Sequence, residues 1–276
     1  MIPPVVDAEF LDAHPEALIA DVRWYLDGRD GFAAYRDAHL PGARWVDLET
    51  ALSAAGRPAT EGRHPLPTPQ AFAQAMRDLG IGDDSIVVAY DDTGGVTAGR
   101  LVVMLRVLGI DAALLDGGLR AWIGPVESGP GKASAAPGSF TERPWPAERF
   151  ADADETGAAA LAGTPVIDAR SFERFTGEAT MVDRVPGHIP GARSAPATDV
   201  FGPDGRFKSV DELRAHYAAR GIDDSTADVI ASCGSGVSAC ANIIALEHAG
   251  LPRARLFAAS WSGWSADPDR EAATGE

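Results

Sequence analysis

The sequence predicts an α/β protein of two tandem domains, each a parallel sheet flanked by helices. Three observations lead to this prediction: an internal repeat, a linker-like segment between the two copies, and short apolar runs that alternate with helical patterns. The chain has 276 residues, of which 45% are hydrophobic and 23% charged. That composition and length suit two medium-sized globular domains.

The repeat consists of four blocks that occur twice in the same order. The first copy contains IADVR (19–23), HLPGA (39–43), LGIGDDSIVVAYDDTGGVTAG (79–99) and LLDGGLRAW (114–122). The second copy contains VIDAR (166–170), HIPGA (188–192), RGIDDSTADVIASCGSGVSAC (220–240) and LFAASWSGW (256–264). Four matched blocks at a near-constant offset indicate that one structural unit is present twice.

A linker is predicted between the two copies. Residues 124–150 are rich in Pro, Gly, Ala and Ser and have neither a helical nor a strand period. We therefore expect a first domain over 1–124, a linker over 125–150 and a second domain over 151–276.

Each copy alternates predicted strands with predicted helices. The runs SIVVAY (85–90) and DVIAS (228–232) are short, apolar and bounded by turn residues, as buried parallel strands are. Apolar periodicity predicts helices over 69–79, 98–108, 210–219 and 237–249. The Pro-Gly turns of HLPGA and HIPGA indicate that His39 and His188 are structural residues.

Composition narrows the classes of partner. The 40 acidic and 24 basic residues give a formal charge of -16, which disfavours nucleic acid and anionic membranes. No run reaches the roughly 18 apolar residues of a membrane span, and the first 20 residues lack a signal-peptide pattern. The sequence thus predicts a soluble, cytoplasmic protein, and a small anionic substrate would need a local cationic pocket.

Cys233 follows a predicted buried strand and begins the Gly/Ser loop ahead of a helix. Backbone N–H groups of residues 234–239 and the positive end of the helix dipole would stabilise an anion there, so a thiolate nucleophile is expected. Gly234 and Gly236 would let a ligand approach these amides. The alternative interpretation is a small buried cysteine that packs like alanine.

The repeat offers an internal comparison for Cys233. Aligning GGVTA (94–98) with SGVSA (235–239) places Asp92 opposite Cys233. Because an unpaired buried carboxylate is costly, this pairing predicts an accessible loop position in both copies. Only the second domain would then be catalytic.

Cys240, inside the predicted helix, is expected in the core. The two thiols match no zinc ligand set and should both be reduced.

Other cysteine and loop chemistries fit less well. A cysteine-dependent phosphatase loop places arginine six residues after the cysteine, where this chain has Ala239. The pattern of Gly234, Gly236 and Ala239 matches a dinucleotide fingerprint, but no acidic residue closes the following run LFAAS (256–260). Cys-His proteolysis would require a base beside the thiolate, which the sequence alone does not reveal.

The loop CGSGVSA (233–239) resembles that of the tandem-domain rhodanese-like sulfurtransferases, specifically the branch that acts on 3-mercaptopyruvate. The resemblance spans nearly the whole chain, through DVR, HLPGA, YDD, DGGLRAW, DAR, GHIPGA and SWSGW. It implies two rhodanese-like domains and transfer of a sulfane sulfur through a persulfide on Cys233, with no metal and no organic cofactor. The implied acceptor is cyanide or a thiol, for which a thioredoxin-like protein is a candidate. Two alternatives remain: a thiosulfate-preferring enzyme, and a persulfide-carrying module with little turnover.

The resemblance also implies roles for individual residues. Arg174 and Arg184 would hold the carboxylate of the donor, with Arg100 as a further binding residue. Asp47 and His64, from the first domain, would relay a proton with Ser235 to the departing enolate. The loop residues Gly234, Gly236, Val237 and Ser238 would contact the substrate. Two blocks depart from the family: FAASW (257–261) stands where relatives usually read YDGSW, and RLVVMLR (100–106) stands where relatives commonly have a paired tryptophan.

Overall fold

A computed structural model describes residues 1–131, 136–180 and 182–275. The chain divides into two compact units. Unit 1 comprises residues 1–54, 66–145 and 202–207, and unit 2 comprises 55–65, 146–201 and 208–276. The short segments 55–65 and 202–207 thus belong to a different unit from their neighbours in sequence. The domain and linker limits given above stay predictions, and part of the linker, 132–135, lies outside the described residues.

Unit 1 is built on a five-stranded sheet in which every neighbouring pair runs parallel, in the order β1-β5-β4-β2-β3. Its strands are β1 (Val5–Val6), β2 (Leu18–Asp21), β3 (Arg44–Trp45), β4 (Ile86–Tyr90) and β5 (Asp111–Leu115). β4 confirms the strand predicted over 85–90. Four of its five residues are buried, as expected for a central strand covered on both faces.

The helices of unit 1 are α1 (Ala8–Ala13), α2 (Gly31–Asp37), α3 (Leu48–Ala51), α4 (Pro69–Asp78), α5 (Ala98–Val107) and α6 (Gly118–Ala121). α4 and α5 confirm the helices predicted over 69–79 and 98–108. α4 begins where the Thr68 side chain accepts the Ala71 N–H, with Pro69 in the first turn, and it buries Phe72 and Met76.

Unit 2 repeats this plan with a four-stranded parallel sheet in the order β7-β6-β8-β9. Its strands are β6 (Val166–Asp168), β7 (Arg193–Ser194), β8 (Ile230–Ser232) and β9 (Arg255–Leu256). A parallel bridge between Phe150 and Leu256 lies where unit 1 has its β1-β5 pair. The α/β fold class predicted from the repeat is confirmed in both units.

The helices of unit 2 are α7 (Ala153–Leu161), α8 (Phe172–Thr176), α9 (Val210–Ala218), α10 (Ala239–His248) and α11 (Ser260–Trp264). α9 and α10 confirm the helices predicted over 210–219 and 237–249, although α10 starts two residues later. No helix in the described part of the chain is long and apolar enough to cross a membrane.

The two Pro-Gly histidines are structural, as predicted. Nδ1 of His39 is 2.8 Å from the Tyr35 carbonyl oxygen, and Nδ1 of His188 is 2.9 Å from that of Phe175. His188 also stacks on the Phe175 ring at 3.7 Å. Burial lowers the pKa of His188, so its neutral imidazole donates from Nδ1 to the carbonyl.

Candidate active site

The Gly/Ser loop follows β8 and ends where α10 begins, so Cys233 is the first residue beyond the carboxyl end of a central strand. Its Sγ accepts the Gly236 N–H at 3.1 Å, and its own N–H donates to Ser260 Oγ at 3.0 Å. Gly236 adopts a φ of 74°, and a Cβ there would meet the Ala258 carbonyl oxygen at 2.4 Å. A glycine is therefore required at the residue that binds the sulfur.

Cys233 is buried, with a relative exposure of 1%. The accessible position expected from the sequence is therefore wrong in this structure. The reason is the segment that starts α11: Trp261 N–H donates to the Cys233 carbonyl, and Ser262 N–H donates to the Gly234 carbonyl, both at 2.9 Å. Cys240 is fully buried, as predicted, and its S–H donates to the Gly236 carbonyl at 3.4 Å.

Ser260 has a strained backbone. Its φ is 51°, and among the described residues it is the single non-glycine residue with a positive φ. Its hydroxyl donates to the Phe257 carbonyl at 2.8 Å, accepts the Cys233 N–H, and lies 3.9 Å from Cys233 Sγ. The corresponding residue of unit 1 is Gly118, with a φ of 52°. Unit 2 thus keeps a hydroxyl at a position where glycine is the less strained residue.

His64 lies beside the loop. Its Nδ1 is 2.8 Å from Ser235 Oγ, and the two side chains are buried, with relative exposures of 1% and 6%. The sequence assigned His64 to the first domain, but residues 55–65 belong to unit 2. The proposed acid-base pair of His64 and Ser235 is therefore assembled within one unit.

Two predicted residues belong to unit 1. The Asp47 carboxylate accepts the Glu49 N–H at 2.8 Å and caps α3. Arg100 lies on α5, is fully buried and donates from Nη2 to the Leu52 carbonyl at 3.5 Å. These contacts are structural, and a role for Asp47 in the relay or for Arg100 in donor binding stays a prediction.

Arg174 approaches the loop but is already paired. Its Nε and Nη2 donate to the two oxygens of the Asp183 carboxylate at 2.8 and 2.7 Å. Arg170 also contacts Asp183, at 3.4 Å, and makes its main ion pair with Asp168 at 2.6 Å. Burial lowers the pKa of Arg170, but the charge and hydrogen bonds of Asp168, together with the charges of Asp183 and Cys233, raise it by more, so this guanidinium stays charged.

Arg184 is exposed and borders a cavity of about 190 Å³. The cavity is lined by Ala59, Gly62, Arg63, Val182, Asp183, Arg184, Ser262, Ser265 and Ala266. Ser262 connects it to the loop, since its N–H binds Gly234. The remaining predicted loop residues lie beside Cys233: Val237 is buried, and Ser238 is the residue before the first turn of α10.

Three residues near the loop were not predicted as site residues: Arg63, Asp183 and Ser260. Arg63 stands next to His64 in sequence, so its proximity was available as a signal, but nothing in GRHP indicates which way its side chain points. Ser260 contacts Cys233 from 27 residues away in sequence, and Asp183 is positioned near the loop through its ion pair with Arg174. No local pattern marks either of them.

Strand register pairs Cys233 with Asp91 and not with Asp92. In each unit the last residue of the central strand lies opposite the aspartate of the DVR or DAR block: Tyr90 opposite Asp21, and Ser232 opposite Asp168. The following residue is Asp91 in unit 1 and Cys233 in unit 2. The predicted pairing with Asp92 is wrong because the loop 91–97 has one residue more than the loop 233–238.

In unit 1 the carboxylate of Asp91 accepts the backbone N–H groups of the loop that follows β4. Oδ1 accepts the N–H groups of Thr93 and Gly95, both at 2.8 Å, and Oδ2 accepts those of Thr97 and Ala98 at 2.8 and 2.9 Å. In unit 2 the counterparts of the last two amides belong to Ser238 and Ala239. Within the described residues these two N–H groups have no acceptor. The loop of unit 2 can therefore bind an additional anionic atom.

Comparisons with known proteins agree with this geometry. The rhodanese-like domain family matches residues 8–124 and 147–267. A Pseudomonas aeruginosa protein named as a probable 3-mercaptopyruvate sulfurtransferase is 41% identical over 96% of this chain and 94% of its own length. SseB of Mycobacterium tuberculosis, provisionally named a thiosulfate sulfurtransferase, is 40% identical over 97% of this chain and 94% of its own.

A solved structure is similar over almost the same extent. SseA from Escherichia coli, described as a 3-mercaptopyruvate sulfotransferase with a rhodanese fold, superposes with a TM-score of 0.79 at 33% identity. The match covers 94% of this chain and 99% of SseA. The likeness therefore extends through both units and is not limited to the loop.

Proposed function

Because the chain belongs to the rhodanese-like domain family, we propose that it is a sulfurtransferase that carries sulfur as a persulfide on Cys233. The donor is 3-mercaptopyruvate, and the acceptor is a thiol or cyanide. The observation that carries the proposal is the position of Cys233 Sγ, which accepts the Gly236 N–H beside two loop amides that have no acceptor among the described residues.

In the first step the Cys233 thiolate attacks the sulfur of 3-mercaptopyruvate. The new S–S bond forms as the bond between sulfur and carbon breaks, and the electron pair of that bond leaves with the pyruvate enolate. The thiol proton of the donor is given up, and the methylene carbon of the enolate takes one proton to become the methyl group of pyruvate. Atoms and charge balance without a metal or a redox cofactor.

The loop amides stabilise the product of this step. An outer sulfur placed as Oδ2 of Asp91 is placed in unit 1 would accept the N–H groups of Ser238 and Ala239. Preorganised amides at a helix N-terminus stabilise negative charge without reorganisation during the reaction. The persulfide anion is thus supported by the same kind of contacts that hold a carboxylate in unit 1.

His64 and Ser235 supply the acid-base step. A hydroxyl 2.8 Å from an imidazole nitrogen can pass a proton to the enolate and recover one from His64.

In the second half-reaction, cyanide or a thiolate attacks the outer sulfur and returns Cys233 as thiolate. The identity of a thiol acceptor, such as a thioredoxin-like protein, and a cytoplasmic location remain sequence predictions.

Intact-mass measurement after brief incubation with 3-mercaptopyruvate tests the proposal. We expect the protein to gain the mass of one sulfur atom and to lose it when cyanide is added. Cys233→Ser should gain none, whereas Cys240→Ala should load normally, because it removes a thiol that donates to the Gly236 carbonyl and keeps the Gly236 N–H that Cys233 Sγ accepts. A wild type that gains no sulfur from any small donor would favour the carrier-module alternative.

A further inference from the structure

The space beside Gly234 is occupied by guanidinium groups. A Cβ built on this glycine would lie 2.9 Å from Arg174 Nη2 and 3.4 Å from Arg63 Nη2. Gly234 directly follows the nucleophile, so both guanidinium groups lie beside the residue next to Cys233. Neither arginine belongs to the loop itself.

The two arginines differ in how much of their charge is already neutralised. Arg174 forms a bidentate ion pair with the Asp183 carboxylate. Arg63 has no carboxylate within ion-pair distance in the described part of the chain, and its side chain makes one long hydrogen bond, from Nη1 to the Val182 carbonyl at 3.4 Å. Its positive charge is therefore available to an external anion.

The backbone of Arg63 is held more firmly than its side chain, whose hydrogen bond to the Val182 carbonyl is long. Its N–H donates to Ser262 Oγ at 2.9 Å, and the next residue, His64, is fixed against Ser235. Arg63 lines the same cavity as Arg184 and the hydroxyl-bearing Ser262. An anion that enters this cavity meets Arg63 immediately beside Gly234.

We propose that Arg63 is a donor-specificity residue, which binds the charged group of donors whose negative charge lies one bond from the transferred sulfur, as in thiosulfate. The inference rests on the proposed sulfurtransferase function and adds a binding role for a residue outside the loop. With thiosulfate, the Cys233 thiolate attacks the outer sulfur, the S–S bond of the donor breaks, and its electron pair leaves with sulfite. No proton is needed, and charge is conserved.

The position of the charge explains why Arg63 would distinguish donors. The sulfonate of thiosulfate is attached directly to the transferred sulfur, so it must lie next to Cys233 and Gly234. The carboxylate of 3-mercaptopyruvate is separated from its sulfur by two carbon atoms and can reach cations farther from the loop. Loss of the Arg63 charge should therefore affect the compact donor more strongly.

Steady-state kinetics with both donors and cyanide as acceptor test this proposal on Arg63→Gln and Arg63→Lys. For thiosulfate we expect Arg63→Gln to lower kcat/KM about tenfold or more, mainly through KM, since a charge-assisted contact is lost. For 3-mercaptopyruvate the decrease should stay within about threefold. Arg63→Lys should keep more of the thiosulfate activity than Arg63→Gln, because it retains the positive charge but not the planar guanidinium group.

Arg57→Gln is the matched control. Arg57 lies in the same segment of unit 2, is exposed and pairs with Glu61, so its loss changes net charge equally without touching the loop. Equal losses for both donors in Arg63→Gln, a similar loss in Arg57→Gln, or a wild type that thiosulfate does not load would each overturn the inference. Failure of 3-mercaptopyruvate to load the wild type would instead contradict the proposed function, whatever thiosulfate does.

Discussion

The hydroxyl of Ser235, two residues after the nucleophile in sequence, forms a hydrogen-bonded pair with the imidazole of His64. Which of them holds the proton depends on the tautomer of His64. In either tautomer the pair lies beside the loop, while both partners are shielded from bulk water. A proton that reaches the enolate is thus expected to come from this pair and not from solvent.

We expect His64→Gln and Ser235→Ala to lower the rate of sulfur loading from 3-mercaptopyruvate about 100-fold, a typical loss for one acid-base group. With thiosulfate the same variants should stay within about threefold of wild type, because sulfite leaves with its electron pair and no carbon is protonated. Single-turnover loading followed by rapid quenching provides the measurement. Equal losses with the two donors would assign His64 and Ser235 a structural role.

Among the secondary-structure elements, the loops after β4 and β8 meet the same requirement, for acceptors of backbone N–H groups, in two different ways. Both leave a strand and enter a helix of ten residues, so N–H groups of the loop and of the first helical turn need acceptors. Unit 1 satisfies four of them with the Asp91 carboxylate, and unit 2 offers one sulfur to Gly236. The catalytic loop is therefore the less completely satisfied of the two.

Asp91→Ala should destabilise unit 1 by about 2 to 4 kcal/mol, since it leaves several buried donors without an acceptor. Asp91→Asn retains one oxygen and should lose roughly half as much. The control is Asp92→Asn, which weakens a single hydrogen bond from the Tyr25 hydroxyl at 2.6 Å. Urea denaturation of the three variants measures the free energies of unfolding, and an Asp92→Asn loss as large as that of Asp91→Ala would contradict this account.

At the scale of the whole chain, the repeat was sufficient to predict the α/β class and the central strand and helix of each unit. These features depend on local periodicity, which the sequence contains directly. The limits of the units could not be predicted in this way, because residues 55–65 belong to unit 2 through tertiary contacts. No composition change marks that exchange.

The site was predicted less completely than the fold. Cys233, Ser235 and His64 come together as expected, and Arg174 reaches the loop. The pairing of Cys233 with Asp92 failed because an ungapped alignment cannot detect one extra loop residue, whereas strand register can. Arg63 was missed because the direction of a flexible side chain is decided by its surroundings.

Stability should decrease as pH falls from 7.5 to 5, and two histidines of unit 2 supply the reason. Burial, followed by the charge of Arg220, lowers the pKa of His216 to about 4, and burial also lowers that of His188. In the unfolded chain these two histidines bind protons near pH 6.5, whereas in the folded chain they do so only at lower pH. Their contribution to the free energy of unfolding is therefore complete above pH 6.5 and is lost as the pH falls toward 4.

Because His216 is only partly buried, we expect its share to be about 1 kcal/mol at pH 5, less than the full pKa shift would give. Chemical denaturation at pH 7.5 and pH 5 should show a smaller difference for His216→Gln than for wild type. His14→Gln, a change in unit 1, serves as the reference variant. An identical pH difference in wild type and His216→Gln would refute the assignment.

The Cys240 thiol has a consequence for how long sulfur stays on the enzyme. The chain has two cysteines, and the second directs its S–H to the Gly236 carbonyl from within a buried helix. Enzymes that discharge a sulfur by internal disulfide formation need a mobile second thiol, and α10 does not provide one. The half-life of the loaded form should therefore follow the concentration of the external acceptor.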